Sequence, residues 1–357
     1  MTVLDAVVAG GGPAGAAAAL RLAAAGREVL LVDAGTAAPS AGEALIGAAR
    51  PVLRDLGVLD RFLAEGHVAC HGNDSAWGSD ALGSADTVLD PNGHGWHLDR
   101  ARFDAFLRAE AAAAGAAVLE GATVREATRS GGTWTVVAGG RPAVRARWLV
   151  DATGRRAAVA RRCGARRRAG DPTVAVVARY GSPAVDDRDG RTLVEAGPDG
   201  WWYTGLVPGR RRVAAYVTDR SLVPAGARTA SGFAALAATT RHVAARLDGW
   251  AIEGAPRQVA AGGAVAEPPA GDGWVAVGDA AVAFDPLASL GLFTALLTGK
   301  LAAEAVDRAI GGDGDSTGAY ARRVASLAAS YERDRARWYA AERRWADRPF
   351  WLSRGRG

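Results

Sequence analysis

The chain has 357 residues, of which 49% are hydrophobic, and its formal net charge is +5 at pH 7. This length fits one large or two modest domains, and the apolar fraction is ample for a sizeable core. No apolar stretch approaches the roughly 20 residues that cross a bilayer, which excludes a membrane-spanning helix. Cys70 and Cys163 stand far apart in the sequence, so a disulfide scaffold is excluded and a cytoplasmic location is expected.

The positive charge comes almost entirely from arginine, because Lys300 is the only lysine among the 43 basic residues. Arginine runs occur at 166–168 and 210–212, without interleaved aromatic residues and without a known nucleic-acid motif. These runs favour solvated turns, and no nucleic-acid partner is predicted.

The N-terminal segment, residues 4–33, contains an apolar run, a glycine cluster, an alanine-rich stretch and a second apolar run. This order predicts a strand, a loop, a helix and a strand, with G-x-G-x-x-G in the loop. Gly12 would let backbone N–H groups approach a pyrophosphate, and Asp33 would accept hydrogen bonds from a ribose. The segment therefore predicts a dinucleotide site. The residues predicted to form it are Gly10, Gly12, Pro13, Ala14, Gly15 and Asp33.

The middle of the chain changes its hydrophobic period twice. Residues 51–63 and the stretch from Arg100 to Gly115 have apolar residues at helical spacing, whereas residues 117–150 alternate with a period of two. The alternation predicts an antiparallel meander that ends in a buried strand and the turn Asp151–Gly154. Residues 166–262 then predict a separate sheet of amphipathic strands, crossed by a helix over Ser231–Leu247.

The last third of the chain begins with a buried strand over Gly273–Asp279, followed by a turn and a helix to about Ile310. A glycine-rich joint then leads into a final helical segment with a stripe of apolar residues at every seventh position. The stripe consists of Val324, Tyr331, Trp338 and Trp345. Such a stripe favours a helix packed on the body of the protein or on a dimer mate, and the alternative is a helix that binds a polypeptide partner.

Four motifs in this order resemble the FAD-dependent monooxygenases of the aromatic-hydroxylase type. They are the glycine motif with Asp33, Arg100 ahead of a helix, Asp151–Gly154, and Gly278-Asp279 followed by Asp285-Pro286. The resemblance spans residues 2 to about 310 and implies FAD as the cofactor. The cofactor-binding residues that it implies are Gly10, Gly12, Pro13, Ala14, Gly15, Asp33, Arg100, Val124, Gly154, Gly278, Asp279, Pro286, Gly291 and Leu292.

The resemblance also implies a fold, an α/β protein with a Rossmann-like FAD-binding domain. Residues 1–165 and 262–310 would form this discontinuous domain, and residues 166–261 would form an α+β substrate domain with a β-sheet. Residues 66–99 would contribute to the substrate side, and residues 311–357 would form a C-terminal helical extension. Asp279 would hold the ribityl chain, and the turn from Pro286 to Leu292 would lie against the flavin ring.

Within that superfamily, the stretches 42–45 and 285–291 look most similar to the tryptophan-halogenase branch and its relatives. These relatives include flavoproteins that oxidise tryptophan in partner polypeptides during maturation of quinone cofactors. Halogenases place a lysine between flavin and substrate, but this chain has only Lys300, in a late helix. Their E-S-x-G stretch appears here as ASLG at 288–291, and their W-x-W-x-I-P stretch is replaced by Trp201–Pro208. These departures predict a non-halogenating enzyme.

The resemblance implies a monooxygenase that hydroxylates an aromatic group, such as an indole or tryptophan, on a small molecule or peptide. O2 would react with reduced FAD to give a flavin C4a-hydroperoxide, and electrons would come from NAD(P)H or from a separate flavin reductase. Two alternatives stay open. One is an FAD-dependent reductase of the geranylgeranyl-reductase type, and the other is a flavin-binding maturation protein whose C-terminal helix recruits a polypeptide.

No catalytic residue can be assigned from the sequence, although Glu43 and His97 are candidates. Trp201 and Tyr203 on a predicted strand could stack on an aromatic substrate, and alternation would turn Trp202 to the opposite side. The spacing of histidines and Cys70 over residues 67–97 could suggest a metal, but no predicted helix brings these side chains together. No metal site is therefore predicted.

Overall fold

The computed structural model describes residues 2–35, 44–181 and 187–355. The strands in chain order are β1 (Val3–Ala9), β2 (Val29–Val32), β3 (Ala44–Leu45), β4 (Val68–Cys70), β5 (Gly72–Ala76), β6 (Gly83–Asp86), β7 (Gly95–His97), β8 (Ala117–Leu119), β9 (Val124–Ser130), β10 (Thr133–Ala138), β11 (Val144–Asp151), β12 (Arg166–Ala169), β13 (Thr173–Gly181), β14 (Thr192–Gly197), β15 (Gly200–Val207), β16 (Arg211–Asp219), β17 (Ala251–Ala260), β18 (Ala264–Glu267), β19 (Ala270–Gly271), β20 (Trp274–Ala276) and β21 (Val282–Ala283). The helices are α1 (Pro13–Ala24), α2 (Ala49–Asp55), α3 (Leu59–Ala64), α4 (Arg100–Ala113), α5 (Ala158–Arg162), α6 (Ala230–Ala237), α7 (His242–Leu247), α8 (Gly291–Ile310), α9 (Ser316–Ala341) and α10 (Pro349–Leu352).

The first sheet, here called the cofactor sheet, has the order β19-β20-β11-β1-β2-β8, and β10 and β9 extend it from β11. The strands β20, β11, β1, β2 and β8 are parallel. Their apolar runs are buried because α1 packs on the sheet beside α4 and α8. The carboxyl ends of these strands share one edge, so the turns that follow β1, β2, β11 and β20 come together there.

The second sheet, here called the substrate sheet, has the order β17-β13-β16-β15-β14-β5-β6. It is antiparallel except where β5 runs parallel to β14. One face packs under α6 and α7, with Trp202, Tyr216 and Phe233 in its core. The strands β5 and β6 come from within residues 66–99, but the division of the chain into domains stays a prediction.

Residues 316–355, here called the C-terminal arm, pack on both sheets. Val324 and Tyr331 of α9 are buried in the core of the cofactor sheet, whereas Phe350 and Trp351 pack with residues of the substrate sheet. The packed-helix interpretation of the apolar stripe is therefore the one that the fold supports. Trp338 is 38% exposed, and Trp345 lies beyond the end of α9, so the seven-residue stripe does not continue along one helical face.

Two further features differ from, or bear on, the sequence-based expectations. The helix expected over Ser231–Leu247 is divided into α6 and α7, because the chain turns at residues 238–241. In the part of the chain that the structure describes, no helix is long and apolar enough to cross a membrane.

Candidate active site

A cavity of about 500 Å³ lies between the strand-end turns of the cofactor sheet and one face of the substrate sheet. Its cofactor-sheet side is lined by Gly12, Pro13, Ala14, Arg100, Ala152, Gly154, Arg155, Val277, Asp279, Phe284, Asp285, Pro286, Ser289, Gly291, Leu292 and Ala295. Its other side is lined by Ala175, Trp201, Tyr203, Ala215, Val217, Val259, Ala260 and Ala261, and Ala44 also contributes. The cavity therefore brings together most of the predicted cofactor residues and both predicted substrate residues.

The glycine turn after β1 contains two glycines that pack tightly against the backbone and one that faces the cavity. A Cβ atom on Gly10, whose φ is +111°, would lie 2.2 Å from the carbonyl oxygen of Ala152, and one on Gly15 would lie 1.9 Å from that of Gly10. These two positions require glycine for close packing. A Cβ atom on Gly12 would meet no atom within 4 Å. The open space at Gly12, beside the N-terminus of α1, fits a pyrophosphate held by backbone N–H groups.

Asp33 follows β2 on the far side of the glycine turn and does not line the cavity. Its Oδ1 accepts a hydrogen bond from the N–H of Gly11 at 3.2 Å, and Arg108 Nη1 lies 3.6 Å from its Oδ2. Arg108 also donates to the carbonyl oxygen of Gly11 at 3.3 Å. The two residues support the turn from outside, where the adenosine end of a dinucleotide would extend. Arg108 was missed by the sequence analysis because it comes from α4.

The turn after β20 contains Gly278 and Asp279. Gly278 has a φ of +56°, its N–H donates to Thr298 Oγ1 at 2.8 Å, and a Cβ atom on it would lie 2.7 Å from the Cβ of Ala14. Asp279 lines the cavity and lies 3.3 Å from Arg155 Nε. Arg155, which directly follows Gly154, was also missed by the sequence analysis. The pair connects the turn after β11 with the turn after β20, and both turns line the cavity.

The turn from Asp285 to Leu292 leads into α8. Asp285 Oδ1 accepts the N–H of Leu287 at 3.0 Å, and Ser289 adopts a left-handed conformation with a φ of +53°. Asp285 is 2% exposed, and burial raises the pKa of its carboxyl against the lowering effects of the Leu287 N–H, the Tyr339 hydroxyl and the Arg335 charge. The N-terminus of α8 has no side-chain cap, so its first N–H groups are available on the cavity side.

The cavity wall on the side of the substrate sheet is here called the substrate wall. The alternation of side chains along β15 decides which residues of this strand belong to it. Trp201 and Tyr203 face the cavity, whereas Trp202 packs on the opposite side of the sheet against Tyr216 and Phe233, with ring centroids 5.0 and 5.2 Å away. Trp201 is 1% exposed. The cavity wall thus presents an indole and a phenol beside small apolar side chains, which suits an aromatic ligand.

Two further predicted residues, His97 and Val124, do not line the cavity. His97 is fully buried in β7, does not line the cavity, and its Nε2–H donates to the carbonyl oxygen of Gly190 at 3.1 Å. Burial lowers the pKa of His97 to about 4, so the ring is neutral near pH 7 in a packing role. Val124 is the first residue of β9. Two residues before it, the N–H of Ala122 donates to the carbonyl oxygen of Asp33 at 2.9 Å. Glu43 lies outside the described residues.

The histidines near residues 67–97 contact aromatic rings. His71 and His94 come within ring contact, with centroids 5.0 Å apart, and His67 packs on Phe62 and Phe103. Among residues 2–35, 44–181 and 187–355, no group of three or more His, Cys, Asp or Glu side chains could hold a metal ion.

The parallel sheet, the glycine turn and the cavity at its edge are typical of a dinucleotide-binding protein. The chain belongs to the FAD binding domain family, whose model matches residues 3–318, and FAD is its cofactor. It is 28% identical to the FAD-dependent oxidoreductase LodB of Marinomonas mediterranea, with 99% of this chain and 97% of that protein covered. It is 31% identical to the menaquinone reductase of Mycobacterium tuberculosis, with 85% of this chain and 76% of that protein covered. It is therefore an FAD-dependent oxidoreductase by family.

Solved structures share the fold along nearly the whole chain. The chondrochloren halogenase CndH has a TM-score of 0.88 at 24% identity, covering 99% of this chain and 86% of that chain. The peptidyl tryptophan dihydroxylase QhpG, essential for tryptophylquinone cofactor biogenesis, has a TM-score of 0.80 at 26% identity, covering 99% of this chain and 79% of that chain. The same architecture therefore occurs in a protein named for halogenation and in one named for aromatic hydroxylation. The fold does not identify the reaction, which has to be inferred from the residues of the site.

Proposed function

We propose that this protein is an FAD-dependent monooxygenase that hydroxylates an aromatic group on a small molecule or peptide. The observation that carries the proposal is a cavity in which the turns on the cofactor side face Trp201 and Tyr203. An aromatic substrate bound on this wall would lie opposite the flavin, within reach of oxygen delivered from it. The resemblance to QhpG, which is named as a tryptophan dihydroxylase, supports an indole as the aromatic group.

We assign the cofactor contacts as follows. The N–H groups near Gly12 would hold the pyrophosphate, Asp33 the adenosine ribose and Asp279 the ribityl chain. Arg100 would lie near the phosphates or the ribityl chain, and the turn from Pro286 to Leu292 would lie against the flavin ring. The remaining assigned residues, which shape the turns or line the adenosine end, are Gly10, Pro13, Ala14, Gly15, Val124, Gly154 and Gly278.

FAD, when bound, supplies the two-electron reduction of O2 and the transfer of one oxygen atom. The chain contributes orientation and water exclusion. The small and apolar side chains of the cavity, among them Val217, Phe284 and Leu292, keep water from the reacting atoms. The uncapped N-terminus of α8 offers N–H groups to negative charge on the cofactor. The electrons would come from NAD(P)H or from a separate flavin reductase.

The basic residues of the chain argue against halogenation. Lys300 Nζ lies 2.9 Å from Asp55 and 3.5 Å from Glu304, and Lys300 is not among the residues that line the cavity. The basic side chains that do line it are Arg100 and Arg155. An arginine stays protonated in proteins, so neither can offer the amine that captures a hypohalous acid in the halogenases that the chain resembles.

A product analysis tests this proposal. Holoenzyme reduced without O2 is mixed with ¹⁸O2 and bromide in the presence of indole, tryptophan or a tryptophan-containing peptide. We expect a product that carries one ¹⁸O atom and no bromine, measured by mass spectrometry. Free reduced FAD, treated in the same way, is the control for uncatalysed oxidation. A brominated product would assign the protein to the halogenases instead.

A second candidate function is reduction of an isoprenoid or quinone substrate. The observation that favours it is the 31% identity to a protein named menaquinone reductase. In this case the apolar wall of the cavity would hold a lipid substrate. Hydrogen would be transferred to that lipid without O2. A gain of two hydrogen atoms by menaquinone, when it is incubated anaerobically with the reduced holoenzyme, would favour this candidate over the monooxygenase.

A further inference from the structure

The hydroxyl of Tyr339 lies between two residues that line the cavity. The Nε1–H of Trp201 donates to Tyr339 Oη at 3.1 Å, and the Tyr339 hydroxyl donates to Asp285 Oδ2 at 2.8 Å. The indole N–H can only donate, and the Tyr339 hydroxyl gives its one proton to the Asp285 carboxylate. All three residues are at most 2% exposed, so water does not replace these bonds.

The same hydroxyl also supports the turn on the cofactor side of the cavity. Asp285 begins the short 3-10 turn Pro286–Ala288 and caps it through the N–H of Leu287. Burial, together with the negative charge and hydrogen bond of Asp285, raises the pKa of the Tyr339 phenol well above its usual value, so the hydroxyl keeps its proton. Tyr339 thus joins the aromatic wall to the turn that faces it.

The ring of Tyr339 is held independently of its hydroxyl. It lies 6.0 Å from the ring of Trp77, 6.1 Å from that of Phe350 and 6.0 Å from that of Trp351. The guanidinium of Arg354 lies 5.4 Å from the Tyr339 ring and pairs with Asp219 at 2.6 Å. A phenylalanine at this position would therefore keep the packing and lose only the two hydrogen bonds.

We propose that Tyr339 is a positioning residue that orients the Trp201 indole on the substrate wall and thereby sets which aromatic group the cavity accepts. The residue acts through Trp201 and does not itself line the cavity. It belongs to the C-terminal arm, outside residues 3–318 that match the FAD binding domain. The nature of the substrate in this inference rests on the proposed function. The positioning of Trp201 rests on the hydrogen-bond geometry alone.

The test compares wild-type holoenzyme with Tyr339→Phe, both labelled with 5-fluorotryptophan. The ¹⁹F resonance of Trp201 is assigned by its loss in Trp201→Phe. In Tyr339→Phe we expect this resonance to move or broaden, and the FAD content of each protein is measured so that indole binding is compared per bound flavin. Indole, titrated against the flavin absorbance, should bind roughly tenfold more weakly, as expected for a lost buried hydrogen bond. In a Trp201→Phe background, Tyr339→Phe should weaken indole binding no further.

Tyr320→Phe is the matched control for the loss of a buried hydroxyl. Tyr320 is 4% exposed, lies in the same helix, and donates to the carbonyl oxygen of Ala276 at 2.6 Å, away from Trp201. If Tyr339→Phe leaves the Trp201 resonance and the indole affinity unchanged, as Tyr320→Phe should, the positioning role is overturned. Absence of indole binding in the wild-type protein would count against the proposed substrate, and the Trp201 resonance would then decide the positioning role.

Discussion

Replacement of Gly12 by valine is expected to give a folded protein that does not retain FAD. A Cβ atom at Gly12 meets no atom within 4 Å, so a side chain there begins in open space. It would, however, project into the cavity at the N-terminus of α1, where the pyrophosphate would approach the backbone. Loss of these N–H contacts should weaken FAD binding by at least about 100-fold, or about 3 kcal/mol.

The measurement is the flavin absorbance per protein after purification, together with the far-ultraviolet circular dichroism of the protein. Gly314→Val is the matched control, because a Cβ atom there also meets no atom within 4 Å and the residue lies between α8 and α9, outside the cavity lining. Gly15→Ala should instead lose the fold, since its Cβ would lie 1.9 Å from a carbonyl oxygen. A yellow, fully loaded Gly12→Val protein would contradict the assignment of the glycine turn.

Replacement of Asp151 by alanine is expected to lower the free energy of unfolding by about 3–5 kcal/mol. Asp151 is completely buried at the end of β11. Its Oδ1 accepts the N–H of Thr153 at 2.9 Å and the Thr153 hydroxyl at 2.6 Å. Its Oδ2 accepts the N–H groups of Val159 and Ala160 at 3.0 and 2.7 Å. Alanine would leave these donors without this acceptor, and the N–H groups of Val159 and Ala160 are buried.

Chemical denaturation of the two proteins without FAD gives the difference in the free energy of unfolding and avoids the contribution of cofactor binding. Asp272→Ala is the control, because the Asp272 side chain is 84% exposed and pairs with Arg129 at the surface. A surface change of this kind should stay within about 0.5 kcal/mol. If Asp151→Ala and Asp272→Ala change the free energy of unfolding equally, the Asp151 carboxylate does not stabilise the turn that it caps.

The cofactor side of the cavity could be anticipated from the sequence because its turns directly follow buried strands. The glycine motif, Asp151–Gly154 and Gly278-Asp279 each occupy the carboxyl end of a parallel strand, and such ends share one edge of the sheet. Alternation along β15 likewise predicts that Trp201 and Tyr203 face one side of the sheet and that Trp202 faces the other. Local pattern and sheet geometry were sufficient for these residues.

Contacts between distant segments could not be anticipated in this way. The helix expected over residues 231–247 is divided because the carboxylate of Glu195, in β14, accepts the N–H groups of Arg241, His242 and Val243 at 2.8, 2.9 and 2.7 Å. No local pattern contains that interaction. Tyr339 was missed for the same reason, since it reaches Trp201 and Asp285 from 138 and 54 residues away.

The reaction of the reduced holoenzyme with O2 distinguishes a monooxygenase from a reductase. Protein reduced without O2 is mixed with oxygenated buffer in a stopped-flow spectrometer, with and without indole. We expect a transient that absorbs between reduced and oxidised flavin and persists before the oxidised spectrum returns. Return of the oxidised spectrum in a single phase, under both conditions, would contradict oxygen transfer and favour a reductase.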